Sequence, residues 1–207
     1  MLSLEQLDSP TRGLLELAAA IALGDEAGLE RACHGCLAAA VPALWTEELL
    51  LQSVLTVGWP RALVAFAAWR KAAGPIRDPG EDGSNYGQVG EWETRGKAVC
   101  ADVYGKNYER LRENVRALHP SLDAWMVTEG YGKTLGRPGL DLARRELGTV
   151  VQVAIQGAER QLHSHLRGAL NAGAAPRAVS EALELVMPYL GARERAVADS
   201  LWKRVQG

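Results

Sequence analysis

Apolar residues recur along this chain at three- and four-residue spacings, and short clusters of Gly, Pro, Asp and Asn divide the runs. Ser9-Pro10 ahead of the apolar run Leu14 to Leu23 offers a cap and a first-turn proline, with Gly24 as the stop, which predicts a helix over 10–23. A second pattern spans Glu26 to Ala40. A third opens at Thr46-Glu47-Glu48 and must end or kink at Gly58 and Pro60, because proline lacks the amide donor and crowds the preceding turn. Pro60 then starts a segment through Trp69.

From Gly74 to Gly90 the pattern gives way to Gly, Pro, Asp, Asn and Ser, which reads as a linker. Helical spacing resumes from Glu91 to Val103 and from Asn107 to Leu118, and His119-Pro120 breaks it. Ser121 to Glu129 makes a short helix; Gly130, Gly132, Gly136 and Pro138-Gly139 read as a loop. Asp141 caps a helix reaching Gln156, Gly157 turns the chain, and Glu159 to Ala172 returns to Gly173. Pro176 opens a helix toward Leu190-Gly191, and the last runs from Arg193 to Val205. About nine or ten helices and no alternating strand predict an all-α bundle.

Composition supports that class: 32 alanines and 29 leucines stand against three isoleucines and one phenylalanine. With 23 Lys plus Arg against 25 Asp plus Glu, a net charge of −2 and no run of like charges, no nucleic-acid partner is expected. No membrane partner is expected either, since Gly24-Asp25-Glu26 and Pro60-Arg61 interrupt the greasiest segments short of the roughly 20 apolar residues that span a bilayer. Met1 to Pro10 carries Glu5 and Asp8 and no Lys or Arg, unlike a secretory signal. Three cysteines do not suggest a disulfide framework, so a cytoplasmic location is expected.

Sliding the chain against itself by 133 positions aligns Gly24 with Gly157, Glu26 with Glu159, Gly35 with Gly168, Glu48 with Glu181, Gly58 with Gly191 and Trp69 with Trp202. In all, 14 of 58 ungapped pairs agree, against roughly one in twelve by chance, which points to a tandem duplication. Two hairpins rich in Ala and Leu could also look alike for that reason alone. Under duplication, residues 1–73 are a degenerate N-terminal repeat, 74–90 a linker and 91–207 the fuller unit.

Cys33-His34-Gly35-Cys36 is a CxxC, but it lies mid-helix and the offset sets Cys33 and Cys36 opposite Leu166 and Ala169. Two small apolar side chains in a seam compete with a redox pair as its reading. Cys100 reads as core. His163 and His165 are two apart on a helix, about 200° around its axis, so one metal ion cannot easily take both and no metal is expected. Glu146 lies 11 residues before Gly157 and His165 lies 8 after it. At about 1.5 Å per residue the two stand within roughly 5 Å of the same height. A Glu facing a His can be a proton-transfer pair or an ordinary ion pair. Gln161 shares the His165 face, and Arg137, Arg144, Arg145 and Arg167 are within sequence range to hold an anion.

Gly136-Arg137-Pro138-Gly139-Leu140-Asp141, Arg145-Glu146-Leu147 and His165-Leu166-Arg167-Gly168-Ala169-Leu170-Asn171-Ala172-Gly173 resemble the carboxymuconolactone decarboxylase family. Tyr189-Leu190-Gly191 fits that family's Tyr-Ala-Gly, and Gly96 through Val103-Tyr104-Gly105 looks like its entry helix. The resemblance covers roughly Gly90 to Gly207, with a weaker copy at Pro10 to Trp69, and implies an AhpD-like helical bundle of two tandem units. In the related AhpD-type alkylhydroperoxidases a Glu, a CxxC and a His form the motif. Here the Glu and His positions are Glu146 and His165, while the cysteine positions hold Ala158 and Gln161. In the first copy Gly13 and Ala32 replace the Glu and His, and Cys33 and Cys36 stand eight residues out of register.

The resemblance therefore implies the decarboxylase branch, a lyase of aromatic-compound catabolism that needs no cofactor and takes CO₂ from a small carboxylated lactone. It implies His165 as acid and base, Glu146 as its orienter, Arg137 as an anion anchor and Gln161 as a neighbour of the substrate. It also implies a homo-oligomer, a trimer or pseudo-hexamer, with a small-molecule substrate. Two alternatives stand beside it: a thiol peroxidase using Cys33 and Cys36, and a non-catalytic helical oligomerisation or binding protein.

Overall fold

The computed structural model describes residues 4–207; residues 1–3, the start of the N-terminal segment read above, lie outside the described residues. All regular structure among them is helical, apart from one isolated bridge between Leu4 and Ala174. Helix α1 spans Ser9–Leu23. Its cap is Asp8 rather than Ser9, the carboxylate accepting from the Thr11 amide at 2.8 Å, with Pro10 inside the first turn and Gly24 closing the helix at φ 73°. Helix α2, Glu26–Ala38, begins in the same way at Asp25.

The helical stretch α3, Ala43–Ala73, is broken at Gly58 (φ 74°, ψ 169°), two residues before Pro60. Its halves together are long and apolar enough to cross a membrane by length and composition. Glu47 and Glu48 in its first half are nonetheless buried with partners inside the chain: the Trp69 indole and Arg70 at Glu47, Arg137 and Arg145 at Glu48.

Helix α4, Val89–Tyr104, and α5, Tyr108–Leu118, follow the irregular segment, and α6, Pro120–Trp125, leads directly into a π-helix over Met126–Leu135. The glycines expected to form a loop there instead allow two helices to touch. A Cβ on Gly132 would stand 2.0 Å from the Trp92 carbonyl oxygen, and one on Gly96 1.9 Å from that of Val127. Without side chains at the crossing the two backbones approach to contact distance, which outweighs the low helical preference of glycine.

Helices α7 (Leu142–Ile155), α8 (Glu159–Asn171), α9 (Pro176–Val186) and α10 (Ala192–Gln206) complete the chain. The main core joins α1–α3 to α7–α10, with Leu14, Leu17 and Ile21 of α1 and Leu147, Val150 and Val151 of α7 fully enclosed. Local landmarks recur at an offset of 133. Asp8 and Asp141 both cap the amide three residues on, Gly24 and Gly157 both turn at positive φ, and the indoles of Trp69 and Trp202 donate to Glu47 and Ser180. Equivalent residues also meet across the α1–α7 seam, where Arg144 Nε donates to Thr11 Oγ1 at 2.8 Å.

Candidate functional site

Helices α7 and α8 form an antiparallel hairpin because Gly157 takes φ 66°, a conformation other residues adopt with strain. Across this hairpin His165 Nδ1 lies 2.8 Å from Glu146 Oε2. Glu146 is fully buried and His165 keeps 9% of its surface. Its other ring nitrogen, Nε2, has no hydrogen-bond partner among the described residues and, unlike Glu146 Oε1, is not shielded from solvent. With Nδ1–H donated to the carboxylate, Nε2 is the ring atom that can give or take a proton. Glu146 Oε1 is shielded and unpartnered, so the acid's hydrogen bonding goes chiefly to the imidazole.

Three residues that the sequence did not assign to the site lie within the electrostatic reach of Glu146. Tyr131, from the π-helix, donates to the Tyr104 hydroxyl at 3.2 Å, and the rings meet edge to face. Burial pushes the Tyr104 phenol up to about 12, the Tyr131 hydrogen bond opposing and the Glu146 charge adding to the rise. Burial also raises Tyr131 well above the usual phenol value, and takes the Cys100 thiol to about 12. The two phenols and the thiol are therefore neutral at neutral pH. Cys100 and Tyr104, four apart on α4, share a face that helical spacing could have flagged; Tyr131 was hidden among glycines.

Arg137 lies elsewhere in the network. Its guanidinium bonds Glu48 through Nε at 3.0 Å and Nη2 at 3.0 Å, and Arg145 Nη2 donates to the same carboxylate at 2.8 Å. Gln52 adds an amide donor to the Arg145 carbonyl. The Arg137 guanidinium, expected to anchor a substrate anion, is buried and paired with Glu48 in this structure. Gln161 is exposed on α8, one turn before His165.

Cys33 and Cys36 are fully buried in the α1–α2 hairpin, Cys36 Sγ lying 3.4 Å from the Gly13 carbonyl oxygen. Burial raises the two thiols to about 11 and about 12, which disfavours the nucleophilic thiolate. Gly13 stands where the second half has Glu146, and a Cβ there would meet Ala39 at 3.0 Å and Val41 at 3.2 Å. The first hairpin thus has no room for a second acid. His163 faces away from His165; burial first, then Arg167 and Arg204, holds its imidazole below the usual value.

Residues 120–201 match the family model described as the carboxymuconolactone decarboxylase family, a stretch that contains both Glu146 and His165. An uncharacterized 15.0 kDa protein of the nqo9–nqo10 intergenic region of Paracoccus denitrificans is 41% identical over 68 residues, which is 32% of this chain and 51% of that protein. The match therefore spans about half the length of this relative.

Proposed function

Because residues 120–201 belong to the carboxymuconolactone decarboxylase family, we propose that the chain is a cofactor-independent decarboxylase acting on a small carboxylated lactone, with His165 as the proton donor. The observation that carries this reading is the buried 2.8 Å contact between His165 Nδ1 and Glu146 Oε2. In the reaction the bond between the ring carbon and the carboxylate breaks, CO₂ leaves, and the electron pair remains on the lactone as a dienolate. His165 Nε2 protonates that carbon and regains a proton from solvent. Glu146 accepts from Nδ1, which fixes the tautomer and stabilises the imidazolium before transfer. The enclosed surroundings strengthen that interaction relative to water.

The same premise suggests assembly. Trp59 and Leu63, four apart in the second half of α3, are 68% and 59% exposed. Exposed apolar side chains of that kind suit a second copy of the chain. We also infer that the landmarks shared at an offset of 133 descend from duplication, after which the first copy lost its acid and its imidazole.

The deciding experiment is CO₂ release from 4-carboxymuconolactone by the intact chain and by His165→Gln. Turnover that falls at least about a hundredfold in a folded variant supports the assignment. Equal turnover in both proteins overturns the mechanism, and no turnover by the unaltered chain overturns the substrate.

A further inference from the structure

A cleft of about 810 Å³ opens between the α4–α5 junction and helices α8 and α10. It lies on a different face of α8 from the Glu146–His165 pair: His163 and Arg167, four apart, line it. Lys106, Arg110, Arg167 and Arg204 converge there, and no Asp or Glu side chain is part of the wall. Among the described residues none of these four cations forms an ion pair.

Two polar atoms of the wall are unsatisfied: His163 Nε2 and Arg167 Nε are both shielded from solvent and have no hydrogen-bond partner. An unmade buried hydrogen bond is costly, and like charges around one concavity repel one another. A bound anion would relieve the repulsion among the cations. Arg167 and Arg204 lie close enough to the His163 ring to help hold it below its usual basicity, and all three residues line the cleft.

We propose that this cleft binds a small polyanion, an organic phosphate or polycarboxylate with at least two negative charges, centred on His163, Arg167 and Arg204 with Lys106 and Arg110 at the rim. The volume falls in the range of small-molecule sites. A nucleic acid would instead need an extended basic face on a chain of net positive charge. The proposal stands independently of the decarboxylase reading, since it uses neither Glu146 nor His165.

The test is calorimetric titration of the full chain with pyrophosphate and with citrate, beside ring-nitrogen NMR of the histidines. Saturable binding, a shift of the His163 Nε2 resonance with His165 unmoved, and at least tenfold weaker binding by Arg167→Ala/Arg204→Ala support the site. Arg31→Ala, an exposed residue outside the cleft wall, is expected to bind as the unaltered chain does. Tighter pyrophosphate assigns a phosphate ligand and tighter citrate a polycarboxylate. The proposal fails if neither probe moves the His163 resonance at up to about 10 mM, or if the double variant binds both equally well. Should that variant not fold, the NMR titration of the unaltered chain decides alone.

Discussion

Gly168 lies flush against the Glu146 carboxyl group, so that a Cβ at position 168 would stand 2.4 Å from Oε2, the oxygen that meets His165. The imidazole and the glycine, three residues apart on α8, together form the seat of the acid. Gly168→Ala is expected to displace the Glu146 side chain, and the Val103 methyl 2.8 Å away leaves little room to compensate. The variant should fold with a loss of about 1–3 kcal/mol and lose most of its turnover. Urea unfolding and the CO₂ assay would check this; a variant with full turnover would show that the seat of the acid is not critical.

Glu48 holds two guanidiniums, from Arg137 and Arg145, in a site where it is itself fully buried. Glu48→Ala strands both cations, and loss of about 3–5 kcal/mol is expected because an unpaired buried charge costs more than the pair contributes. Denaturant titration would measure it. A loss under about 1 kcal/mol would mean that water reaches the site and solvates both arginines.

Helix α5 buries no residue fully; its Tyr108 and Leu111 pack at the edge of a smaller core, and Arg112 and Arg116 both bond Asp123 of α6. The hydrogen bonds from Arg112 come first among the causes that hold the Asp123 carboxyl below its ordinary value, with burial opposing them. A carboxyl whose folded pKa is depressed contributes stability that is fully present above its unfolded pKa and is lost as pH falls through the folded one. Asp123→Asn should therefore lose about 2–4 kcal/mol at pH 7, and the difference from the unaltered chain should shrink below about pH 4. A difference that stays constant down to about pH 2 would assign the effect to packing instead.

The thiol alternative makes an opposite prediction to burial. With Cys33 raised to about 11 and Cys36 to about 12, the native chain at pH 8 should react with iodoacetamide about a hundredfold more slowly than the unfolded chain. Rapid native labelling of Cys33, together with peroxide consumption lost in Cys33→Ser, would support the redox reading.

The helices were legible from periodicity, and so was the level meeting of Glu146 and His165, because both residues belong to one hairpin. There a fixed rise per residue and one glycine turn set their relative height. Boundaries moved by a residue or two where a better cap was available, as at Asp8. The stretch 126–135 escaped the same reasoning: its glycines look like breakers along the chain but act as contact surfaces across it, where Gly96 and Gly132 let α4 and the π-helix meet.

Spacing along the chain thus determined an all-α protein and paired its acid with its imidazole, since local geometry propagates predictably over two or three helical turns. Tertiary packing alone decided that Arg137 serves Glu48, that the Tyr131 and Tyr104 hydroxyls meet, and that four unpaired cations share a cleft. Each of those relationships joins elements whose separation depends on how whole helices pack, and no repeat distance in the sequence encodes that arrangement.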